Sequence, residues 1–568
     1  MLVSRLRSSL VVLALSSGLA CGSGSGSGGG PGPQPPGKTP ETQSPVVEIA
    51  PAAGSEWYRK AVFYEVFVRS FQDSDGDGNG DLKGLISRLD YLNDGDPSTT
   101  QDLGVDALWL MPVFDSPSYH GYDVVDYERI NPDYGTLEDF EQLCAEAHRR
   151  GMRVILDFVI NHSGTGHPWF VESASSRTSP KRDWYMWRDQ DPGWKQPWSQ
   201  FSNEPTWHSR NGAWYYGVFW GGMPDLNMQN PELRAEVKRL ASLWISRGAD
   251  GFRLDAARYL IETGAGGGQA DTPETHAFWK EFAAHVRQEK PDAVIVGEDW
   301  STTPVIAAYY GSTKDVPGGD ELPLNFNFPL SEQILASLNA GNSTSIAAKL
   351  TEMASAYPAG VSDAPFLTNH DMVRVATQLN AHSGKLANAA ALLLTLPGAP
   401  FLYYGEELGM TNGTTNNDEA KRTPMPWDGS GGGGFTSGSP WFNFSPGHAS
   451  GRNVAAQTDA ANSLLSRYRA LIRARHASEA LSRGGLKLFT STKGVSAALA
   501  FVRTLGDERV LVVHNLSDYN VTAGPFSIPG GTPEVLFADT NVGTLSATAS
   551  GWQTTLPARA TGIWRLKP

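Results

Sequence analysis

From residue 61 onward, short apolar runs alternate with stretches whose apolar residues recur every three or four positions. The runs fall at 61–68, 105–111, 152–158, 250–254, 293–296, 324–326, 364–367 and 399–403. Short, apolar and bounded by turn residues, they have the pattern of strands buried on both faces of a parallel sheet. The stretches at 137–150, 232–247 and 275–289 read as amphipathic helices between them. Eight strand–helix alternations without a long break predict an α/β fold, a closed (β/α)8 TIM barrel rather than a doubly wound sheet. One connection breaks the plan. Residues 162–226, after the third strand, far exceed a usual βα loop and are expected to form an inserted subdomain. Beyond a Gly-rich loop at 429–438, a helix is expected over 459–476. From 485 the pattern changes to short alternating stretches at 497–503, 509–515 and 534–537, which predict a C-terminal antiparallel β-sandwich domain.

The first twenty residues carry Arg5 and Arg7, an apolar run at 10–15 and then small residues, which is the layout of an export signal. The junction Gly18-Leu19-Ala20-Cys21 is similar to a bacterial lipoprotein cleavage site, although Gly18 stands where leucine is usual. A lipid anchor through Cys21, or plain secretion, is therefore expected. Residues 22–55 are rich in Gly, Ser and Pro and read as a tether. The expected domain plan is an export signal at 1–21, the tether at 22–55, the barrel at 56–161 and 227–482, the inserted subdomain at 162–226 and the C-terminal domain at 483–568.

Composition narrows the partners. The formal charge of −14 argues against nucleic acid or an anionic membrane surface. The two cysteines, Cys21 and Cys144, lie one in the leader and one mid-helix, so a structural disulfide is not expected. No apolar run after residue 20 is long enough to span a bilayer. Eight of the 17 tryptophans lie in the insertion, where most are expected to pack and one or two to face a cleft.

Chemistry gathers at the strand ends. The third strand runs into Asp157-Phe158-Val159-Ile160-Asn161-His162, the fourth ends Arg253-Leu254-Asp255, the fifth Gly297-Glu298-Asp299 and the seventh Asn369-His370-Asp371. Acids at the carboxyl ends of one barrel's strands converge on one mouth. Asp, Glu and Asp around a cleft, with no histidine cluster of metal-ligand spacing, suit glycoside hydrolysis. One carboxylate attacks the anomeric carbon and one carboxylic acid protonates the leaving oxygen. A nucleophile beside a guanidinium has its proton affinity lowered, and a sheltered carboxyl among other acids has it raised.

The segments DFVINH, GFRLDAAR, GEDW and FLTNHD resemble, in order, the four signature regions of the α-amylase family, glycoside hydrolase family thirteen. The likeness covers roughly residues 56–568. It implies that Asp255 is the nucleophile, Glu298 the general acid/base and Asp371 the third acid that holds sugar hydroxyls. Arg253 would keep Asp255 ionised, and His162 and His370 would bond the sugar in subsite −1. Asp157 would be structural, and Asn161 would help anchor the insertion. The two reacting carboxyls are then expected ~5–5.5 Å apart, with retention of configuration.

Further resemblances narrow the substrate. In Ser118-Tyr119-His120-Gly121-Tyr122-Asp123 the pattern implies that Tyr122 stacks on the sugar and His120 bonds a hydroxyl. Family exo-glucosidases usually have aspartate at the position of Tyr119, and its absence favours an open cleft. The run Met223-Pro224-Asp225-Leu226-Asn227 is similar to an intermediary subfamily between oligo-1,6-glucosidases and neopullulanases, which includes bacterial lipoprotein amylases. Arg258 stands where a basic residue reaches subsite +2, and Tyr259 replaces a histidine whose carbonyl helps bind calcium, which puts that calcium in doubt. Separately, residues 73–81 place oxygen donors at alternate positions in a glycine-softened loop, a spacing that suits Ca2+; the resemblance to the oligo-1,6-glucosidase branch implies Asp73, Asp75, Asp77, Asp81 and the carbonyl of Asn79 as its ligands. The loop is not an EF-hand, because its twelfth position is Gly84. The expected protein is a monomeric, retaining, endo-acting α-1,4-glucan hydrolase on starch and maltodextrins. The alternative is an α-glucosidase, cyclomaltodextrinase or transglycosylase on short or cyclic maltodextrins.

Overall fold

The computed structural model describes residues 45–198, 204–489 and 496–567. Cys21, on which a lipid anchor is expected, lies outside the described residues.

Seven parallel strands form one curled sheet: Phe63–Val66, Ala107–Leu110, Arg153–Phe158, Gly251–Leu254, Val294–Gly297, Leu324–Asn325 and Phe401–Tyr403, the last pairing back to the first. The run at 364–367 does not form a ladder. It closes the gap through two single parallel bridges, Phe326 to Ala364 and Phe366 to Phe401. Pro365 has no N–H to donate, which limits pairing there to isolated contacts. The result is the expected TIM barrel.

Alternation along each strand sorts side chains into two cores. Phe252 and Leu254 face the helices, whereas Phe63, Trp109, Ile155, Val294, Val296, Phe326 and Phe401 fill the barrel interior. Arg253 and Asp255 have the inward parity of the fourth strand. That strand begins at Gly251, where an added Cβ would lie 1.9 Å from the carbonyl oxygen of Val294. The helices begin at side-chain caps, Thr136 before Leu137–Arg149, Asn230 before Pro231–Ser246 and Thr272 before Pro273–Glu289. Each such cap contributes about 1 kcal/mol.

The insertion builds a small sheet from Trp187–Arg188, Ala213–Tyr216 and Trp207–Arg210 beside the helix Pro168–Ser175. Its tryptophans are mostly packing residues: Trp169 and Trp187 lie against the main core, and Trp194, Trp198 and Trp214 against Trp207, Tyr216 and Val218. Trp220 is about half exposed. The return strand is tied to the barrel by antiparallel bridges, His162 to Asp225 and Tyr185 to Leu226.

The C-terminal domain is a sandwich of a six-stranded and a three-stranded antiparallel sheet. Along the larger sheet, Leu499, Phe501, Val510 and Val512 face the barrel helices, while Ala500, Val502, Leu511 and Val513 face the smaller sheet. Two readings of the chain need correction. Residues 45–49, assigned to the tether, form the strand Pro45–Ile49, which adds to the edge strand Gly485–Phe489. The exposed edge supplies the template, and an apolar Val47 and Ile49 face the core beside it. The helix expected over 459–476 is two helices, Val454–Thr458 and Leu464–His476, because Ser463 caps the second and its hydroxyl receives the N–H of Ser466.

Candidate active site

The centre of the site is the Arg253 guanidinium, 1% exposed and inside the barrel mouth. Its Nη1 donates to Asp157 (2.7 Å) and Asp255 (2.8 Å), and its Nη2 to Glu298 (2.9 Å). One cation thus holds acids from the third, fourth and fifth strands. Ala256, directly after Asp255, adopts a left-handed conformation with φ 50°. That turn sends the Ala256 N–H back to Glu298 Oε2 at 3.1 Å, locking the two strand ends together. Backbone strain of this kind costs of order 1–3 kcal/mol and marks sites where position matters more than stability.

The third acid joins from the segment that follows the bridged run at 364–367. His370 donates from one ring nitrogen to Glu65 (2.6 Å) and from the other to Asp371 (3.0 Å). Asp371 also receives Arg422 at 3.0 Å and remains 37% exposed, open to the cleft. The Tyr122 hydroxyl meets His370 Nε2 (2.6 Å) and Asp157 (3.0 Å), and its ring lies nearly parallel to that of His370, at 15°. His120 is beside it, its Nδ1 accepting the Tyr122 N–H at 3.1 Å. His162 is buried, with Nε2 unpartnered among the described residues and its ring against Phe219. Arg258 sits further out, bonded to Asp271 (2.9 Å) and the Trp300 carbonyl (2.8 Å).

Electrostatics separates the acids. Burial, reinforced by the charges of Asp255 and Asp371 and opposed by Arg253, raises Glu298 from 4.5 to about 7. Burial likewise raises Asp157 to about 6, although Arg253 pulls it down. Burial would raise Asp371 too, but the charge and hydrogen bond of His370, with Arg422 and Arg253, hold it far below the usual range. His370 gains what Asp371 loses. Burial alone would discharge it, yet Asp371 and Glu65 raise it to about 10. Burial lowers His162 and His120, so both stay neutral imidazoles. The site therefore offers a protonated carboxyl, an ionised carboxylate tied to an imidazolium, and a third carboxyl on a guanidinium, around one opening.

The residues expected to carry the chemistry, Asp255, Glu298 and Asp371 with Arg253, His120, Tyr122, His162 and His370, are brought together; Arg258 lies at the rim. Pattern reading missed Glu65, Asp418 and Arg422. Glu65 shares the inward parity of Phe63, a signal available in the sequence. Arg422 had none: it comes from a polar loop after the last strand, and only folding carries it to Asp371. It also binds Asp418 at 2.7 Å, and Tyr119 donates to Asp418 at 2.9 Å.

Two places could hold a metal ion. Carboxylate oxygens of Asp73, Asp75 and Asp81 all lie within 4.8 Å of one another. Asp77 does not join this group of carboxylates. Asp77 instead accepts the backbone N–H of Asn79 at 2.7 Å, and the Asn79 carboxamide oxygen is taken by Arg69. The second place lies between barrel and insertion. Asp225 and Glu262 are buried and hydrogen-bonded to each other, burial raising Asp225 to about 8 and Glu262 well above its usual range. Asn161 donates to Asp225 at 3.4 Å, and Asn161 Oδ1 and Glu262 Oε1 are buried without a donor among the described residues. Beside Glu298, both carboxyl oxygens of Asp299 are likewise buried without a donor.

A profile described as the α-amylase catalytic domain matches residues 65–484. The chain belongs to the α-amylase family. It is a glycoside hydrolase of that family. It is similar to α-amylase 3 of Dictyoglomus thermophilum, 42% identical over 468 residues and covering 81% of this chain and 85% of the relative. It also resembles a trehalose synthase of a Pimelobacter species, 36% identical over 518 residues with 82% and 88% covered. Among solved structures, the α-amylase from H. orenii superposes with a TM-score of 0.79 at 37% identity, covering 90% of this chain and all of that one. Family members of different activity thus share the frame of this chain.

Proposed function

We propose that this family member is a retaining, endo-acting α-1,4-glucan hydrolase that cleaves starch and maltodextrins. The observation that carries the reading is the convergence of Asp255 and Glu298 on one guanidinium, with Glu298 raised by burial to about 7. Asp255, paired with Arg253, attacks the anomeric carbon, while Glu298 gives its proton to the glycosidic oxygen and the leaving chain departs. The Glu298 carboxylate then takes a proton from water, the hydroxide equivalent attacks the same carbon, and the Asp255 ester breaks. Two inversions give retention. Asp371 accepts hydrogen bonds from the sugar hydroxyls, and His120, His162 and the imidazolium of His370 line the same ring's pocket with Tyr122. Exposed aromatics beside the site favour a polymer: Phe219, whose ring lies against His162, and Trp300, whose carbonyl receives Arg258, expose 37% and 46% of their surface, apolar faces of the kind on which sugar rings stack.

One observation favours the second reading, an α-glucosidase or transglycosylase on short or cyclic maltodextrins. Tyr119, Asp418 and Arg422 form a polar wall beside Asp371, which would shorten the cleft on that side. Iodine staining of soluble starch separates the two. Rapid loss of colour with release of maltooligosaccharides is expected, and glucose alone from the first minutes would refute endo attack. In the same assay Asp255→Asn should abolish hydrolysis while keeping the melting temperature; an active variant removes Asp255 from its role.

Calcium is proposed at Asp73, Asp75 and Asp81, whose hard oxygens suit it, where it would tie the loop after the first strand. Asn161, Asp225 and Glu262 offer a second set of oxygen donors, fit for the same ion across the joint between barrel and insertion. The proposed setting is outside the cell, as a monomer secreted or held by a lipid on Cys21.

A further inference from the structure

A cavity of about 560 Å3 lies in the inserted subdomain, away from the acids. Its wall includes Arg182, Asp183, Arg188, Trp194, Asn227 and Gln229. The segment 225–226 bridges to His162 on one side and Tyr185 on the other. The cavity is on the Tyr185 side and the active site on the His162 side, so an occupant touches none of Asp255, Glu298 or Asp371.

The wall chemistry selects a ligand class. Among the described residues, neither Arg182 nor Arg188 has a carboxylate within ion-pairing distance; their guanidiniums donate only to the carbonyls of Ser173 and Trp187. The Asp183 carboxylate has no ion pair there either. Asn227 and Gln229 spend their amide nitrogens on the carbonyls of Asp183 and Glu262, and Asn227 Oδ1 accepts the Gln229 N–H. Arg182 also stacks on the Trp187 ring at 3.8 Å, and Arg177 pairs with Asp189 in the same wall, so the Arg188 guanidinium and the Asp183 carboxylate are the charged groups left facing a space edged by the Trp194 indole. An anion would meet Asp183, and an apolar ligand would leave the Arg188 guanidinium unsatisfied. A ring of vicinal hydroxyls, each both donor and acceptor, answers both. The volume is in the ~300–1,000 Å3 range of small-molecule sites.

We propose that this cavity is a second, non-catalytic binding site for a short stretch of α-glucan. This rests on the α-glucan reading of the active site. A polymer held here raises the effective concentration of its other segments at the acids, a gain with no change in the chemistry.

The test titrates maltotriose into the full-length Asp255→Asn protein by calorimetry. Two equivalents are expected, and one in a variant that adds Asp183→Ala and Arg188→Ala, both exposed positions. Thr263→Trp, which fills the cavity from an exposed position, should remove the same equivalent. In the active enzyme, Asp183→Ala with Arg188→Ala should leave kcat/KM on maltotriose within twofold while KM for soluble starch rises several-fold. One equivalent in Asp255→Asn, survival of the second in these variants, or its displacement by inorganic phosphate would overturn the proposal. Failure of the wild-type protein to hydrolyse either glucan would instead refute the α-glucan reading.

Discussion

Glu298→Gln isolates the electrostatic cost of the site. The substitution keeps the shape and an acceptor for Ala256 N–H and Arg253, and removes titration. In the wild type, burial with Asp255 and Asp371 raises the group from 4.5 to about 7. One unit corresponds to 1.36 kcal/mol, so the shift represents about 3 kcal/mol between the two protonation states. The sign follows from linkage. The folded state binds this proton more tightly than the unfolded chain, so the contribution to stability is fully present below about pH 4.5 and is lost as the pH rises through about 7. Glutamine pays no such penalty. The melting temperature of Glu298→Gln should therefore gain on wild type between pH 4.5 and 8. At ~2 °C per kcal/mol for a large domain, the gap should widen by about 5 °C. Over the same change activity should fall ~10²–10⁴-fold, the usual contribution of general acid–base catalysis. Calorimetric scans at pH 5, 6, 7 and 8 read the gap. A constant gap across that range would show that Glu298 is not an elevated acid, and the assignment of the proton to it would fail.

Other expectations follow from the same contacts. Arg253→Lys exchanges a planar fork for a point charge and loses at least one of three carboxylate bonds; at ~1.5–3 kcal/mol for a charged bond, kcat/KM should drop ~10–100-fold, and the alkaline limb of the pH–rate profile should move up, because Arg253 lowers the Glu298 proton affinity. Chelation should lower the melting temperature of the wild type by more than that of Asp75→Asn; equal responses would remove the ion from the loop at Asp73, Asp75 and Asp81. Asp299, raised by burial and by its acidic neighbours against Arg258, is expected to be a neutral acid. Asp299→Asn should then leave the pH–rate profile in place, whereas an acidward shift of its alkaline limb would mean that Asp299 is ionised beside Glu298.

The legible and illegible parts of this protein divide along physical lines. Apolar runs at 61–68, 105–111 and 152–158 were readable because a strand buried on both faces must be apolar throughout. The acids were readable because each closes such a run, and Glu65 was readable in principle from its parity with Phe63. The pairing of Pro45–Ile49 with Gly485–Phe489 was not, since a strand at a sheet edge takes its partner from the fold rather than from its own composition. Nor was the break before Leu464, where the apolar spacing carries on through a capped turn. The acidic loop at 73–81 shows the same limit: alternating Asp73, Asp75, Asp77 and Asp81 set the donor types, while local turns decided which carboxylates converge.

The sequence alone determined the barrel and the inserted subdomain and placed acids at the strand ends, because periodicity and strand-end chemistry are local properties of the chain; the roles expected of Asp255, Glu298 and Asp371 came from the resemblance to the α-amylase family. Tertiary structure alone decided which acid keeps a proton. That choice depends on burial, on one guanidinium reaching Asp157, Asp255 and Glu298 at once, and on Arg422 and Glu65 arriving from distant segments to charge the His370–Asp371 pair. Such Coulomb and desolvation energies are set by distances of a few ångströms in space, which the order of residues does not encode.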